Sequence, residues 1–219
     1  MAKVIIFGNT LTAELAYFYL KNDSDHEVVA FTVEKEFIQE ERYHGLPLVP
    51  FENVEQVYPP SEYHFFAPLT EREMNRLRER VYQKGKEKGY SYISYISSKA
   101  TVWTKDIGEN CFILEDNTIQ PYVKIGNNCV FWSGNHIGHH GKIGDHVFFT
   151  SHVVLSGKCQ VGNNCFIGVN ATIRDSTILG EGTLIAMGAN LTRQKTPDWS
   201  IWKGNPAEMA KISSKDIKI

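Results

Sequence analysis

The chain has 219 residues and a mass of 24.9 kDa, which is long enough to bury a hydrophobic core without disulfide bonds and excludes a peptide hormone or a disulfide scaffold. With 42% hydrophobic and 22% charged residues, the composition is that of a folded globular protein. The net charge of −2 provides no basic excess for a phosphate backbone, which excludes nucleic acid as an expected partner.

The early part of the sequence lacks a signal-peptide core, and its longest apolar run, residues 4–7, is too short to span a membrane. We therefore expect a cytoplasmic protein without membrane contact. None of the four cysteines forms a CxxC pair, and a cytoplasmic environment would keep their thiols reduced.

Apolar patterns suitable for strands alternate with patterns suitable for helices over residues 1–96. The predicted strands are residues 3–7, 27–32, 63–67 and 90–96, and the predicted helices are residues 12–20 and 71–88. A capping box formed by Thr70 and Glu73 is expected to open the second helix. This alternation predicts a small α/β domain with a mainly parallel sheet and a ligand crevice at the carboxyl ends of the strands.

The loop after the first predicted strand, formed by Gly8, Asn9 and Thr10, is expected to bind substrate in that crevice. A nucleotide fingerprint uses successive glycines so that the backbone can approach phosphate, and this loop keeps only Gly8. Pro68 after another predicted strand removes a backbone donor. Two alternatives remain open, a nucleotide-binding domain and a scaffold domain with altered nucleotide binding.

An apolar anchor residue recurs at every sixth position between residues 107 and 191 without a break. Glycine often follows the anchor, where it is expected to ease a corner with unusual φ, and a small residue often lies two positions before it. The cysteines occupy this small-residue position; they are Cys111, Cys129, Cys159 and Cys165. Such a period is typical of a parallel β-helix with about 18 residues per coil, which we predict for residues 97–196 with the cysteines inside.

Aromatic residues near the middle of the repeat are expected to form flat, exposed apolar faces that pack against other copies of the chain. These residues are Phe131, Trp132, Phe148 and Phe149. Residues 197–219 form the C-terminal tail.

Five of the eight histidines lie between residues 136 and 152, where the repeat calls for small and apolar side chains. Imidazole is the side chain whose ordinary pKa suits a general base that works near neutral pH. The cluster therefore marks a candidate catalytic site, with His136 and His152 expected to line its pocket.

Several stretches together carry a resemblance to a known family; they are FGNTLTAELAYF, HIGHHGKIGDH, VVLSG, FIGVNATI and KGNPA. The chain resembles the bacterial sugar acyltransferases of the sialic acid O-acetyltransferase group, which include N-acetyltransferases of nucleotide-linked amino sugars. The resemblance implies a Rossmann-like α/β domain followed by a left-handed β-helix, and a homotrimer with active sites between neighbouring helices. It also implies acetyl-CoA as the acyl donor, no metal, and a nucleotide sugar held largely by the N-terminal domain.

The activity implied by the resemblance is acetyl-CoA-dependent N-acetylation of a nucleotide-linked amino sugar for surface polysaccharide biosynthesis. Sugar O-acetylation and a non-catalytic sugar-nucleotide-binding scaffold are the alternatives. A γ-type carbonic anhydrase is a further β-helix class, but its zinc would need a histidine about two coils before the cluster, and residues 100–135 contain none.

The resemblance also implies roles for single residues. The base of the family lies four residues before an Ile-Gly pair, which makes His139 the base. His140 stands where the family has an acidic residue that orients the base. Three alternatives remain open: His140 has this role, another acid such as Asp145 or Glu115 replaces the acid of the family, or the base has no orienting residue. Gly157 lies one coil after His139, and its backbone N–H is expected to bind the oxyanion.

The resemblance further implies that His136 and His152 line the acceptor or thioester pocket. It implies main-chain contacts with the pantetheine arm at residues 168–169 and 186–188, and a position near the adenine for the turn at residues 203–207, where Lys203 is expected to meet a phosphate. The residues expected to contact acetyl-CoA are Gly157, Gly168, Val169, Ala186, Met187, Gly188, Lys203, Gly204 and Pro206.

Overall fold

The structure, a computed structural model, describes residues 1–217. It contains an α/β domain followed by a parallel β-helix, as the sequence predicts. Within the described residues, no helix combines the length and the apolar character needed to cross a membrane.

The N-terminal domain is built around one five-stranded sheet. Its elements are β1 (Lys3–Phe7), α1 (Leu11–Asn22), β2 (Glu27–Val33), β3 (Arg42–Tyr43), β4 (Leu46–Pro50), α2 (Val54–Val57), β5 (Tyr63–Phe66) and α3 (Arg76–Glu87). The strand order is β3-β4-β2-β1-β5, and all pairs are parallel except the β3–β4 hairpin. The inner strand β1, between β2 and β5, is buried except at Lys3, as expected for a parallel strand covered on both sides. The sequence did not reveal β3 and β4, because prolines at positions 47 and 50 read as breaks in a strand pattern.

Helix α3 begins later than the sequence predicts. It starts at Arg76 instead of residue 71, and the predicted capping box is absent. Glu73, Met74 and Asn75 adopt left-handed φ values of 56°, 53° and 67°, which cannot continue a right-handed helix. The Asn75 side chain donates to two carbonyls of the β-helix. This tertiary contact overrides the local capping signal.

The β-helix has three faces, each a parallel sheet. The first face contains β6 (Tyr95–Ile96), β8 (Phe112–Ile113), β11 (Val130–Phe131), β14 (Phe148–Phe149), β17 (Phe166–Ile167), β20 (Leu184–Ile185) and β22 (Ile201–Lys203), and β23 (Glu208–Met209) pairs with β22 in antiparallel orientation. The second face contains β7 (Thr101–Val102), β9 (Thr118–Ile119), β12 (His136–Ile137), β15 (Val154–Leu155), β18 (Thr172–Ile173) and β21 (Asn190–Leu191). The third face contains β10 (Lys124–Ile125), β13 (Lys142–Ile143), β16 (Gln160–Val161) and β19 (Ile178–Leu179).

Each coil has three edges, at which the chain turns from one face to the next. The first edge joins the first and second faces, the second edge joins the second and third faces, and the third edge leads back to the first face. Paired residues such as Phe112 and Val130 are 18 positions apart, which confirms the predicted coil length. The strand predicted at residues 90–96 is divided between the two domains. Tyr92 forms a single parallel bridge with Phe65 of β5, whereas Tyr95–Ile96 pairs with β8 of the β-helix.

The interior of the β-helix has the predicted composition. The second residue of each short strand points inward, and all four cysteines are fully buried among these anchors. Interior cysteines act here as small apolar side chains that fill the space between anchors.

We expect native protein to react slowly with a thiol reagent, because no cysteine side chain reaches solvent. All four thiols should react at once after unfolding in urea, which provides the control. Rapid labelling of several cysteines in the native protein would contradict the inward register.

The glycines that follow the anchors have a different role from the predicted one, since none has a positive φ. A Cβ at Gly138 or Gly168 would lie 2.5 Å from a backbone nitrogen of the next coil, so these glycines permit close stacking of coils. The left-handed position lies three residues after the anchor and carries polar side chains such as Asn128 and His140. Asparagine and histidine tolerate this conformation better than most residues.

The predicted exposed aromatic faces are wrong. Phe131 and Phe149 stack inside the coils with ring centroids 4.8 Å apart. Phe148 points outward from the first face, but the α/β domain covers it, and Trp132 packs partly buried against the same cluster. The apolar surface of the first face therefore joins the two domains and is not free for assembly.

A ladder of hydrogen bonds follows the third edge. The Asn110 side chain donates to Asn128 Oδ1 over 2.7 Å, and Asn128 Nδ2 lies 2.8 Å from His146 Nδ1. His146 Nε2 lies 3.8 Å from the Glu79 carboxylate of α3. Burial lowers the pKa of His146, against the effect of that carboxylate, so the folded protein holds a neutral imidazole there.

Replacing His146 with asparagine should make stability less sensitive to acid. The unfolded chain binds a proton at His146 more readily than the folded chain, so the free energy of unfolding falls as the pH drops below about 6.5. Asparagine does not titrate and tolerates the φ of 64°. Urea midpoints between pH 7.5 and 5.5 measure this effect, and His26, whose pKa is also lowered by burial, is present in both proteins. Equal slopes for H146N and the unaltered chain would contradict it.

Candidate active site

His139 lies on the second edge, two residues after β12 ends. Its side chain is exposed, and its backbone N–H donates to Gln120 Oε1 over 2.8 Å. The coil thus fixes the backbone while the imidazole stays accessible to a ligand.

The next residue, His140, forms a pair with His139 and restrains its imidazole. The two Nδ1 atoms are 3.0 Å apart, and the rings are nearly perpendicular at 88°. His140 has a left-handed φ of 57°, and its ring packs on Tyr122 one coil earlier at 4.7 Å between centroids. One Nδ1 must donate and the other accept. The pair therefore leaves Nε2 of His139 free for a substrate.

Gly157 lies directly beside this free nitrogen. A Cβ built on Gly157 would be 2.7 Å from His139 Nε2, so only glycine leaves room for the ring. Among residues 1–217 the Gly157 N–H has no hydrogen-bond acceptor. An unpaired donor next to an accessible imidazole is a suitable arrangement for stabilising negative charge on a reacting carbonyl.

Neither alternative acid lies near His139. Asp145 accepts from the backbone N–H of Asn127 over 2.6 Å on the third edge. Glu115 accepts from the hydroxyls of Tyr19 and Ser133 on the first edge. Burial acts to raise the pKa of Glu115, but its hydrogen bonds prevail and lower it, so this carboxylate is ionised away from the pair. Within one chain, neither Asp145 nor Glu115 is therefore placed to orient His139, whereas His140 is hydrogen-bonded to it.

The residues expected to contact acetyl-CoA, apart from Gly157, stack in one column along the first edge. The Gly188 N–H donates to the Val169 carbonyl over 2.8 Å, and the Asn190 N–H donates to the Gly204 carbonyl over 3.0 Å. Met187 in this column is 78% exposed. The column comprises Gly168, Val169, Ala186, Met187, Gly188, Lys203, Gly204 and Pro206.

Within one chain, His152 does not lie with His139. His152 precedes β15 on the first edge, whereas His139 follows the neighbouring strand β12 on the second edge. His136 is the outward residue of β12, half-buried on the second face between the two edges. The second face thus separates His139 and Gly157 from the other candidate residues.

The loop after β1 leads into the N-terminus of α1. The Gly8 N–H donates to the Thr32 carbonyl, and Asn9 Nδ2 donates to the Phe37 carbonyl. Thr10 occupies the N-cap position, but its side chain makes no capping hydrogen bond. The first N–H groups of this helix are therefore not satisfied by a cap.

The structure also contains a cavity between the two domains that sequence reasoning missed. It has a volume of about 280 Å³ and lies between the loop after β5 and the outward aromatic residues of the first face. The only signal in the sequence is the recurrence of aromatic residues at Phe112, Phe148 and Phe166, in whole-coil steps.

No three His, Cys, Asp or Glu side chains within residues 1–217 are grouped so that they could hold a metal ion. The histidine pair is therefore described by its hydrogen bonding alone.

The chain combines an α/β domain with a left-handed β-helix that carries hexapeptide repeats. The hexapeptide repeat of bacterial transferases, in six repeats, matches residues 106–139 and 158–193. The repeat and the fold implied by the resemblance are thereby confirmed. Among curated protein sequences, none matches this chain.

Several solved structures are similar over almost the whole chain. A variant of perosamine N-acetyltransferase from Caulobacter crescentus, in complex with CoA and GDP-perosamine, has a TM-score of 0.82 at 20% identity and covers 97% of this chain and 98% of its own. The acetyltransferase domain of PglB from Neisseria gonorrhoeae, in complex with acetyl coenzyme A, has a TM-score of 0.80 at 18% identity, with 95% and 98% covered. WeeI from Acinetobacter baumannii has a TM-score of 0.77 at 18% identity, with 96% and 100% covered. At these identities the similarity establishes the fold.

Proposed function

We propose that the protein transfers the acetyl group of acetyl-CoA to the amino group of a nucleotide-linked sugar. The observation that carries this proposal is the accessible His139 Nε2 beside the unpaired Gly157 N–H. The perosamine N-acetyltransferase with the same fold, solved with CoA and GDP-perosamine, supports the choice of donor and acceptor. The four unpaired cysteines agree with a reducing compartment, and we assign the reaction to the cytoplasm.

The two groups divide the chemistry of acyl transfer between them. His139 Nε2 takes the proton of the amine as its nitrogen attacks the thioester carbonyl. The Gly157 N–H donates to the carbonyl oxygen, on which negative charge develops. When the carbon–sulfur bond breaks, His139 returns a proton to the departing thiolate. An amide and a free thiol result, and the imidazole is regenerated.

His140 fixes the tautomer of the base. Because Nε2 of His139 must be unprotonated, its Nδ1 carries the hydrogen and donates to His140 Nδ1. The hydrogen of His140 then lies on its own Nε2. A second imidazole accepts this hydrogen bond only while it is neutral, unlike a carboxylate.

We expect His140→Ala to lower kcat about tenfold, since it removes orientation but leaves the base. His140→Glu should retain activity, because a carboxylate can accept the same hydrogen bond from His139 Nδ1. Steady-state kinetics with the active acceptor measure both variants. Full activity in H140A, or a loss in H140E as large as that in H140A, would contradict the proposed role of His140.

We propose that three copies pack through their second faces around a threefold axis. In one chain, His139 and the column that we assign to acetyl-CoA lie on opposite edges of the second face. A threefold rotation about an axis parallel to the β-helix axis brings the second edge of one copy to the first edge of the next. His136 and His152 then lie near the shared site. Each site is complete only in the assembly.

The acceptor nucleotide is assigned to the N-terminal domain. Gly8, Asn9 and Thr10 lead into α1, whose uncapped N–H groups and helix dipole favour a diphosphate. Lys203, exposed at the top of the column, is assigned to a phosphate of CoA.

The proposal is tested by measuring CoA thiol release from acetyl-CoA with a panel of nucleotide-linked amino sugars, GDP-perosamine among them. The matched panel of nucleotide sugars with a hydroxyl in place of the amine distinguishes N-transfer from O-transfer. Sedimentation should give about three times 24.9 kDa. No turnover with any acceptor, together with nucleotide-sugar binding, would replace the enzyme by a binding scaffold.

A further inference from the structure

The interdomain cavity is closed on one side by the loop between β5 and α3. Leu69, Thr70 and Glu71 of this loop face the outward side chains of the first face, among them Trp132 and Phe148. The cavity also reaches the first turn of α1 and the first edge of the β-helix. It therefore connects the assigned diphosphate position with the edge that meets the base of the next copy.

The shape of this loop is conformationally unfavourable. Glu73, Met74 and Asn75 are three successive residues with left-handed φ, and none of them is glycine. Such residues are disfavoured singly, and a run of three persists only where surrounding contacts hold it. Because the run lies directly after the cavity wall, its geometry sets the position of that wall.

Two buried side chains provide the restraining contacts. Asn75 Nδ2 donates to the carbonyls of Asn164 and Cys165 over 3.1 and 3.0 Å. Arg78, fully buried in α3, donates to Asn75 Oδ1 over 3.1 Å and to the Thr70 carbonyl over 3.2 Å.

The same guanidinium also reaches the β-helix. It donates to the carbonyls of Asn128 and His146 over 3.1 and 2.8 Å. No carboxylate within residues 1–217 forms an ion pair with Arg78. Its planar fork of donors links the loop to two successive coils, which a flexible point charge such as lysine could not do.

We propose that Asn75 and Arg78 are positioning residues that hold Leu69, Thr70 and Glu71 against the first face and so shape the pocket for the acceptor sugar. The inference rests on the proposed function. Aromatic rings on one wall suit the apolar face of a sugar ring, and Thr70 and Glu71 supply polar groups for its substituents. Neither positioning residue touches the substrate.

Asn75→Gly tests the proposal without adding strain. Glycine adopts a φ of 67° freely but lacks the side chain that joins Arg78 to the β-helix. We expect KM for the acceptor to rise about tenfold or more, while kcat and KM for acetyl-CoA change less than threefold. Binding of the same acceptor, measured by calorimetric titration, should weaken in parallel.

Glu73→Gly is the matched control. It relieves a φ of 56° in the same loop, but its exposed side chain pairs only with Arg80 and takes no part in the restraint. The control should keep the KM of the unaltered chain. Arg78→Lys is the second variant, and its acceptor KM should rise as in N75G if the protein remains folded.

The acceptor used is the nucleotide-linked amino sugar that the unaltered chain turns over fastest, so failure of the proposed function appears separately as absence of turnover. An unchanged acceptor KM in N75G would overturn the positioning role. A lower melting temperature with equal changes in both KM values would also overturn it, since that result indicates a merely structural contact.

Discussion

Replacement of His139 by alanine or asparagine should lower kcat by about 10²–10⁴-fold and leave acetyl-CoA affinity within a few fold. The imidazole acts as a base in the transition state, whereas donor binding is assigned to a column on the opposite edge of the second face. Steady-state kinetics with the active acceptor and calorimetric titration with CoA measure the two quantities separately.

His136→Ala and His152→Ala are the comparison variants, because both residues are assigned to the pocket of the shared site and not to the base. Each should retain most of kcat, with effects concentrated in KM. Full activity in H139A, with the loss appearing in one of these variants, would move the base to another edge. Loss of CoA affinity alone in H139A would make His139 a binding residue.

The second large effect is expected for Gly157→Ala. The added Cβ would lie 2.7 Å from His139 Nε2 and 2.9 Å from its Cε1, so the ring must turn away from the Gly157 N–H. The base and the oxyanion donor would then no longer face the same reacting carbon. We expect kcat to fall by about 10²–10³-fold, as for loss of an oxyanion-hole donor.

Gly141→Ala is the matched control on the same edge. Its Cβ would meet nothing closer than 3.2 Å, and it lies outside the contact between His139 and Gly157. Both variants should unfold at similar temperatures, since neither glycine has a positive φ. Equal kcat in G157A and the unaltered chain would show that the ring moves aside without consequence and that another donor stabilises the charge.

The coil architecture could be predicted from the sequence because each anchor faces the same environment as the anchor 18 residues later. The position of Gly157 next to His139 followed from this repetition. The pairing of His139 with His140 could not be predicted, because it depends on side-chain rotation at a left-handed residue.

The start of α3 shows a second limit of sequence reasoning. The residues before Arg76 have an acceptable capping pattern, and only the contact of Asn75 with a distant edge explains why the helix begins later. The interdomain cavity was missed for the same reason, because it needs the relative position of two separately patterned domains. Local patterns identify elements, whereas long-range contacts decide how they end and what they enclose.

Because the coils stack uniformly, the first edge presents equally spaced positions for the acyl donor that we propose. Neighbouring strands in a sheet are about 4.8 Å apart, so each coil adds one step of this height to the column. Gly168 and Gly204 lie on the column two coils apart, which corresponds to about 10 Å. A change of one whole coil would shift the upper end of the column relative to His139 by one step while preserving every anchor. Under the proposed function, the number of coils therefore sets how far the donor column extends from the level of His139.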